Sequence, residues 1–279
     1  MSQDTGKFRK NTKDQYYTKE SVAKDCLEKI QRLCPQSSSY QWIEPSAGSG
    51  VFLRNLPSGT DAIGIDIDPK YPGLLQGDFL NWTPSSSKQR IVFGNPPFGR
   101  QGCQAKAFLK HACEFADIVA FILPRSFQKP SMTKAIPLKF HCLLSEELPK
   151  NSFTVNEKDY DVPCVFQIWQ KQATDRALPI AVQEQGFAYV KSEKTYNIAL
   201  KRVGGLAGQC ALSGTGSFNP QYHYFLLMEQ KYVSFLNEIV RRINHHTFPS
   251  NTTGPRSLSK SEVNEVLNEI LEDVYSESS

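Results

Sequence analysis

Asn95-Pro96-Pro97-Phe98 is the stretch of this 279-residue chain whose residue types could do chemistry at close quarters. It closes an apolar run, Ile91-Val92-Phe93-Gly94, that reads as a buried parallel strand. Neither proline has an N–H to give to a ladder, so the strand must end there. A carboxamide, the Pro96 carbonyl and the Phe98 ring then sit together on a stiff turn at the strand's carboxyl end. The Asn95 carboxamide oxygen and the Pro96 carbonyl can both accept from an NH2 group, and Phe98 can stack on the flat group that carries it. In open α/β sheets this edge is where ligands bind. A strand-ending turn with a packed Phe would look the same in isolation, so the neighbouring segments decide.

The elements upstream supply what such a site would need. Residues 40–43 read as the first buried strand, running into Glu44-Pro45-Ser46-Ala47-Gly48-Ser49-Gly50 and a short helix over 50–55. Gly48 and Gly50 let the backbone come close to a ligand. A pyrophosphate site would avoid the carboxylate of Glu44, whereas a cationic ligand would favour it. Residues 62–68 read as the second strand. Asp66 stands 22 positions after Glu44, where an acidic residue accepts from ribose hydroxyls. Asp68, before Pro69, reads as a cap. A third strand over 74–80 carries Asp78 and Phe79. Ahead of all these, Tyr16-Tyr17-Thr18 precedes a helix over 21–33 with Val22, Ala23, Cys26, Leu27, Ile30 and Leu33 on one face. Hydroxyl donors beside a helix N-terminus suit an anion, and the same tyrosines would equally cover a core.

Downstream, 104–116 reads as a helix with His111 at its buried edge, and 118–124 as a fifth strand. Residues 141–148 and 162–171 follow as strands six and seven. The polar segment 149–161 between them is expected as a loop beside the target pocket. Arg100, in a flexible stretch over 99–103, and Arg125-Ser126-Phe127-Gln128-Lys129 leave the same sheet edge, where they could meet a phosphate backbone or stay solvated.

These motifs together resemble the S-adenosylmethionine (SAM)-dependent amino-methyltransferases, above all the N6-adenine enzymes, over residues 13–171. The family's signature is matched by Asn95-Pro96-Pro97-Phe98, and its SAM-binding turn by Glu44-Pro45-Ser46-Ala47-Gly48. The resemblance implies an α/β fold: a seven-stranded Rossmann-like sheet whose seventh strand is antiparallel, with a small α+β C-terminal extension. Asn95, Pro96, Pro97 and Phe98 would then be catalytic. Tyr16, Tyr17, Thr18, Glu44, Pro45, Ala47, Gly48, Gly50, Asp66, Asp78 and Phe79 would bind SAM. The family's methionyl-end motif falls at Tyr16-Tyr17-Thr18 and its adenine contact at Asp78-Phe79. The implied activity is methyl transfer to the exocyclic N6 of adenine in nucleic acid, DNA before RNA, by direct transfer without metal or covalent intermediate. Protein glutamine N5-methyltransferases share the Asn-Pro-Pro signature but usually carry Tyr at its fourth position. A degenerate paralogue kept for binding is the non-enzyme alternative.

Composition agrees without deciding. Net charge is +4, too mild to identify a nucleic-acid binder. Residues 1–171 hold 22 basic and 17 acidic side chains, and 172–279 hold 10 and 11. The seven cysteines include no CxxC pair and form no ligand pattern with the five histidines, which argues against zinc and against a disulfide framework. No signal-peptide pattern opens the chain and no apolar run reaches spanning length, so a cytoplasmic protein is expected. Residues 1–13, with Lys7, Arg9, Lys10 and Lys13, read as a solvated arm. Asn251-Thr252-Thr253 is a glycosylation sequon by pattern only.

The second domain, 172–279, carries no motif. Strands are expected at 187–190, 196–203 and 222–227, and a helix at 232–243. A capping box at Ser259–Glu262 opens a final helix with Val263, Val266, Leu267, Ile270, Leu271 and Val274 on one face. Its expected role is docking on its own domain. In the family such an extension recognises the target, in which case Lys201, Arg202, Lys231, Arg241 and Arg242 would contact phosphates.

Overall fold

The computed structural model describes residues 16–178, 180–249, 252 and 255–277. The arm at 1–13 lies outside them, as do Asn251 and Thr253 of the sequon. The chain divides into two compact units, 1–178 and 179–279.

The first unit opens with a short strand β1 (Tyr17–Thr18) and helix α1 (Glu20–Leu33). The α1 face of Val22, Ala23, Cys26, Leu27 and Ile30 is buried, as its spacing predicts, but Leu33 in the helix's last turn is exposed. There follow β2 (Gln41–Glu44), β3 (Ala62–Asp66), β4 (Leu75–Gln76), β5 (Arg90–Gly94), α2 (Cys103–Phe115), β6 (Ile118–Pro124) and a single-turn α3 (Pro130–Thr133). The unit closes with β7 (Phe140–Glu147), a hairpin of β8 (Phe153–Val155) and β9 (Lys158–Tyr160), and β10 (Cys164–Lys171).

The main sheet has the order β4-β3-β2-β5-β6-β10-β7. Pairing is parallel from β4 through β6, and β10 is antiparallel to both β6 and β7. This is the seven-stranded methyltransferase order with its antiparallel seventh strand, as the resemblance implies. β5 and β6 are buried along their whole length. A strand covered on both faces needs a continuous apolar run, which is why both were legible. Their parallel register brings Gly94 beside Phe121, so β5 delivers Asn95 at the carboxyl edge of the sheet.

Four local expectations change. The helix expected over 50–55 is one 3-10 turn, Leu53–Asn55. Only a few residues separate Gly50 from Pro57, too few to repay helix nucleation. The third strand is two residues long, and Asp78 caps the 3-10 turn Phe79–Asn81 instead of ending a strand. The stretch 99–102 is a tight turn with Gly99, Gln101 and Gly102 at positive φ, and Gly102 N–H bonds the Gly99 carbonyl. The polar loop 149–161 contains the β8–β9 hairpin, and β8 also pairs with β1 to make a separate three-stranded sheet. Its turn residues Asn156 and Glu157 both have positive φ, the conformation of a two-residue hairpin loop. Glu at the second turn position hides the usual Asn-Gly signal.

The first unit extends past residue 171. Arg176 donates to the carbonyls of Thr133, Ile136, Pro137 and Phe140, and its guanidinium lies 5.3 Å from the Trp169 ring centroid. An arginine fitted to four carbonyls ties residues 172–178 to this unit rather than to the second domain.

The second unit has its own core. Its sheet, β11 (Phe187–Val190), β12 (Ile198–Lys201), β13 (Cys210–Leu212) and β14 (His223–Met228), is antiparallel in the order β11-β14-β12-β13. Helices α4 (Leu236–His245) and α5 (Lys260–Ser276) complete it. The capping box of α5 is formed in both directions between Ser259 and Glu262. Its six predicted apolar residues are all buried within this unit, so the helix docks on its own domain. Among the described residues no helix is long and apolar enough to cross a membrane, and no group of His, Cys, Asp and Glu could hold a metal ion.

Candidate active site

An open cleft of about 180 Å³ lies at the carboxyl edge of β2, β3 and β5. Its lining includes eleven of the residues singled out in the sequence: Tyr16, Tyr17, Thr18, Glu44, Ala47, Gly48, Asp66, Asn95, Pro96, Pro97 and Phe98. Segments up to about 80 residues apart therefore meet in one place.

Asn95 is positioned from three directions. β5 ends in Gly94 at φ 123, a conformation that costs a side chain dearly. A Cβ on Gly94 would also come within 3.1 Å of the Glu44 Cγ. The Ser46 hydroxyl donates to the Asn95 main-chain carbonyl at 3.0 Å, tying the Gly-rich turn to the Asn-Pro-Pro turn. The Asn95 Nδ2 donates to the Tyr16 carbonyl at 3.1 Å. Its Oδ1 is buried and has no partner. A buried amide oxygen left unpaired costs about 1–3 kcal/mol, so its retention at a cleft marks a place for a donor.

Glu44 makes a second such place. It is 2% exposed, and its Oε2 is buried without a partner. Burial pushes its carboxyl well above the ordinary carboxylate range; the Leu53 backbone N–H opposes the rise, Asp66 adds to it and Arg54 opposes it. A cationic or N–H-bearing ligand would satisfy this oxygen and restore its charge.

Asp66 binds its own backbone first. Its Oδ2 accepts from Gly48 N–H at 2.7 Å and its Oδ1 from Asp68 N–H at 2.8 Å. A carboxylate offers about four lone-pair positions, so two remain for a ligand's hydroxyls. The first bond also holds Gly48, at φ 50, in the turn.

Phe98 is 3% exposed and belongs to an aromatic group. The Tyr16 ring lies 6.2 Å from Phe98 at a 31° tilt and stacks on Tyr160 at 5.3 Å and 21°. The Phe98 ring is thus packed, with the Tyr16 ring beside it.

The structure does not bring Pro45, Gly50, Asp78 and Phe79 into the lining. Pro45 and Gly50 are buried behind the Gly-rich turn. The Asp78 carboxylate accepts from Leu80 N–H and Asn81 Nδ2, both at 3.0 Å. Phe79 is buried against Phe108, His111 and Phe115. His111 is the edge histidine expected, its Nε2 2.8 Å from the Trp82 carbonyl. Arg125 pairs with Glu147 at 2.9 Å.

Six lining residues had been given no role in the sequence: Ser46, Ser49, Val51, Phe52, Ile67 and Lys70. Ile67 is 74% exposed, an apolar side chain with no core to fill directly after Asp66. That exposure appears only in the fold, and it would suit a flat apolar ligand group. Lys70, paired with Asp68 at 2.8 Å, carried no signal in the sequence.

No protein-family model and no curated protein matches the chain. Solved structures similar to it include a candidate RNA methyltransferase of Pyrococcus horikoshii (21% identity, TM-score 0.46, 58% of this chain and 90% of that one). Another is a candidate class I SAM-dependent methyltransferase of Listeria monocytogenes (16%, 0.44, 61% and 64%). A third is the methyltransferase subunit of a type I restriction-modification system of Streptococcus thermophilus (15%, 0.44), which covers 97% of this chain, while this chain spans 60% of it. At these identities the likeness concerns the fold.

Proposed function

We propose that the chain is a SAM-dependent methyltransferase acting on the exocyclic N6 of adenine in nucleic acid, DNA before RNA. The observation that carries this reading is the pair of buried, unpartnered acceptors on one cleft, Glu44 Oε2 and Asn95 Oδ1. The first suits the amino group of SAM. The second suits the amine to be methylated. Asp66 has lone pairs left for ribose hydroxyls, and Ile67 offers an apolar face to the adenine of SAM. Asp78 and Phe79, the family's adenine contacts, lie outside the lining and take no part in this assignment. When bound, SAM supplies an electrophilic methyl group on a sulfonium.

The chain's own residues do the rest. An amine attached to an aromatic ring is a poor nucleophile because its lone pair is spread into the ring. Accepting its two protons at Asn95 Oδ1 and the Pro96 carbonyl draws the nitrogen toward a tetrahedral shape and aims the lone pair. As the nitrogen–methyl bond formed and the sulfonium–methyl bond broke, leaving a neutral thioether, positive charge would grow on the nitrogen and both hydrogen bonds would strengthen. The surplus proton then leaves to solvent. A base in a duplex must leave the stack to reach a recessed site of this kind.

Target recognition by the second unit belongs to the same proposal, but its arginines do not favour it. Arg241 and Arg242 are held by Glu238, at 2.6 and 2.7 Å, and Arg242 also by Glu277 at 2.5 Å. Arg202 lies over the Tyr224 ring, and Lys231 pairs with Glu229 at 3.6 Å. The deciding experiment incubates the protein with methyl-labelled SAM and separate DNA, RNA and protein pools. Label recovered as N6-methyladenine in nucleic acid is the expected result. Label on protein glutamine would move the assignment to the amide methyltransferases, and absence of SAM binding would reject both.

A further inference from the structure

Which way the Asn95 carboxamide faces decides what the site can hold. With Oδ1 toward the cleft it accepts from an amine. Flipped, it would present Nδ2, a donor, to another donor. The bond from Nδ2 to the Tyr16 carbonyl chooses between these states, because a carbonyl only accepts. A flip would lose that bond and set two acceptors against each other.

Tyr16 stands immediately before β1, and the β8–β9 hairpin holds β1. Tyr17 pairs with Thr154 and Thr18 with Phe153. Lys19 N–H bonds the Ser152 carbonyl at 3.0 Å, and its Nζ pairs with Asp159 at 2.7 Å. The Tyr16 ring stacks on Tyr160 of β9 and meets Phe153 of β8 edge-on at 6.3 Å.

We infer that the Tyr16 main-chain carbonyl is a positioning group for the Asn95 carboxamide, and that the β8–β9 hairpin, acting through β1, sets its alignment. The hairpin thereby makes the site selective for an amino over an oxo group. This rests on the proposed function in one respect, that Asn95 Oδ1 receives the target amine.

The test separates the two. A carbonyl cannot be removed by changing the Tyr16 side chain, so the ladder beneath it is broken instead. The two-residue hairpin loop closes on the bonded pair Val155 and Lys158. Bonded pairs alternate along an antiparallel ladder, which turns the Thr154 N–H toward β1. Thr154→Pro therefore removes a bond to β1 and spares those within the hairpin. The first readout is the Asn95 side-chain amide in protein labelled with nitrogen-15 at asparagine, assigned by its loss in Asn95→Ala. In the parent its protons should exchange roughly tenfold more slowly than those of exposed asparagines, the protection of one hydrogen bond. In Thr154→Pro they should move to the positions and rates of exposed asparagines. The second readout is methyl transfer at saturating SAM and target. Thr154→Pro should fall toward Asn95→Ala, and the double variant should be no slower than Asn95→Ala alone. Unprotected amide protons in the parent would overturn the inference, as would unchanged amide signals with additive rate losses in the double variant. If Thr154→Pro fails to fold, the parent's exchange and Tyr160→Ala, which removes the ring stacked on Tyr16, decide. The amide signals are read in the protein alone, so failure to methylate nucleic acid would reject the substrate and leave this inference standing.

Discussion

The two units treat their buried polar groups differently. In the second, the Arg256 Nε is buried without a partner, but the buried asparagine closes its own bonds. Asn264 accepts from the Tyr189 hydroxyl at 2.8 Å and donates to the Val182 carbonyl at 2.7 Å. In the first unit, Asn95 closes one of its bonds and leaves the other open, and Glu44 leaves an oxygen open 2% exposed. Among the described residues these are the two buried side-chain oxygens without a partner. Stability alone would select against both, so the difference marks the first unit as the one shaped for a ligand.

The comparison can be broken by substitution, the largest effect first. Phe98→Ala removes a ring that is both packed and placed at the cleft. It should lower unfolding free energy by about 3–5 kcal/mol, as a buried Phe does. It should also weaken target binding by ~1–3 kcal/mol. Phe98→Tyr should retain most of both, and denaturant titration beside oligonucleotide binding separates the two losses.

Asp66→Ala should weaken SAM binding by ~1–3 kcal/mol, because a charged acceptor is lost. Calorimetry that finds the parent affinity would reject the ribose assignment.

Glu44 predicts a pH dependence. Its carboxyl is raised in the folded protein, chiefly by burial, so folding favours its protonated form. Its contribution to stability is present at low pH and is lost as pH rises through the raised pKa. A cationic ligand needs the ionised form, so SAM affinity should rise over the same interval. In Glu44→Gln both dependences should flatten, which denaturation and SAM titration across pH would show.

The smallest effect is expected in the second unit. Arg241→Ala should change nucleic-acid affinity by less than about twofold, since its guanidinium is already paired with Glu238 and exposed pairs of this kind contribute little. A large loss would restore that face as a phosphate contact.

Much of the site was legible because its signals are local. A run of apolar residues ending at Asn95-Pro96-Pro97 can only be a buried strand stopped at a turn. Glu44 and Asp66 end strands that the same patterning marks, while the sheet they join was implied by the family resemblance. What was not legible depended on distant pairing. The hairpin in 149–161 has polar residues and Asn-Glu at its turn, and β1 is two residues long, so neither carries a periodic signal. Asp78 and Phe79 were placed by family pattern. The chain uses the carboxylate as a cap and the ring as packing under α2, which four residues of sequence cannot reveal. The segment 172–178 was assigned to the second domain because nothing in its composition announces the four carbonyls that Arg176 meets.

The central claim, that the open Asn95 oxygen exists for the chemical step, is tested most directly by Asn95→Ala in single-turnover methyl transfer, with SAM affinity titrated separately. Asn95 is assigned to the target amine and not to the cofactor. SAM affinity should therefore stay within about twofold of the parent, while the rate falls by on the order of 10²–10³, by analogy with removing one preorganised oxyanion-hole donor. Transfer at the parent rate would contradict the amino-methyltransferase assignment.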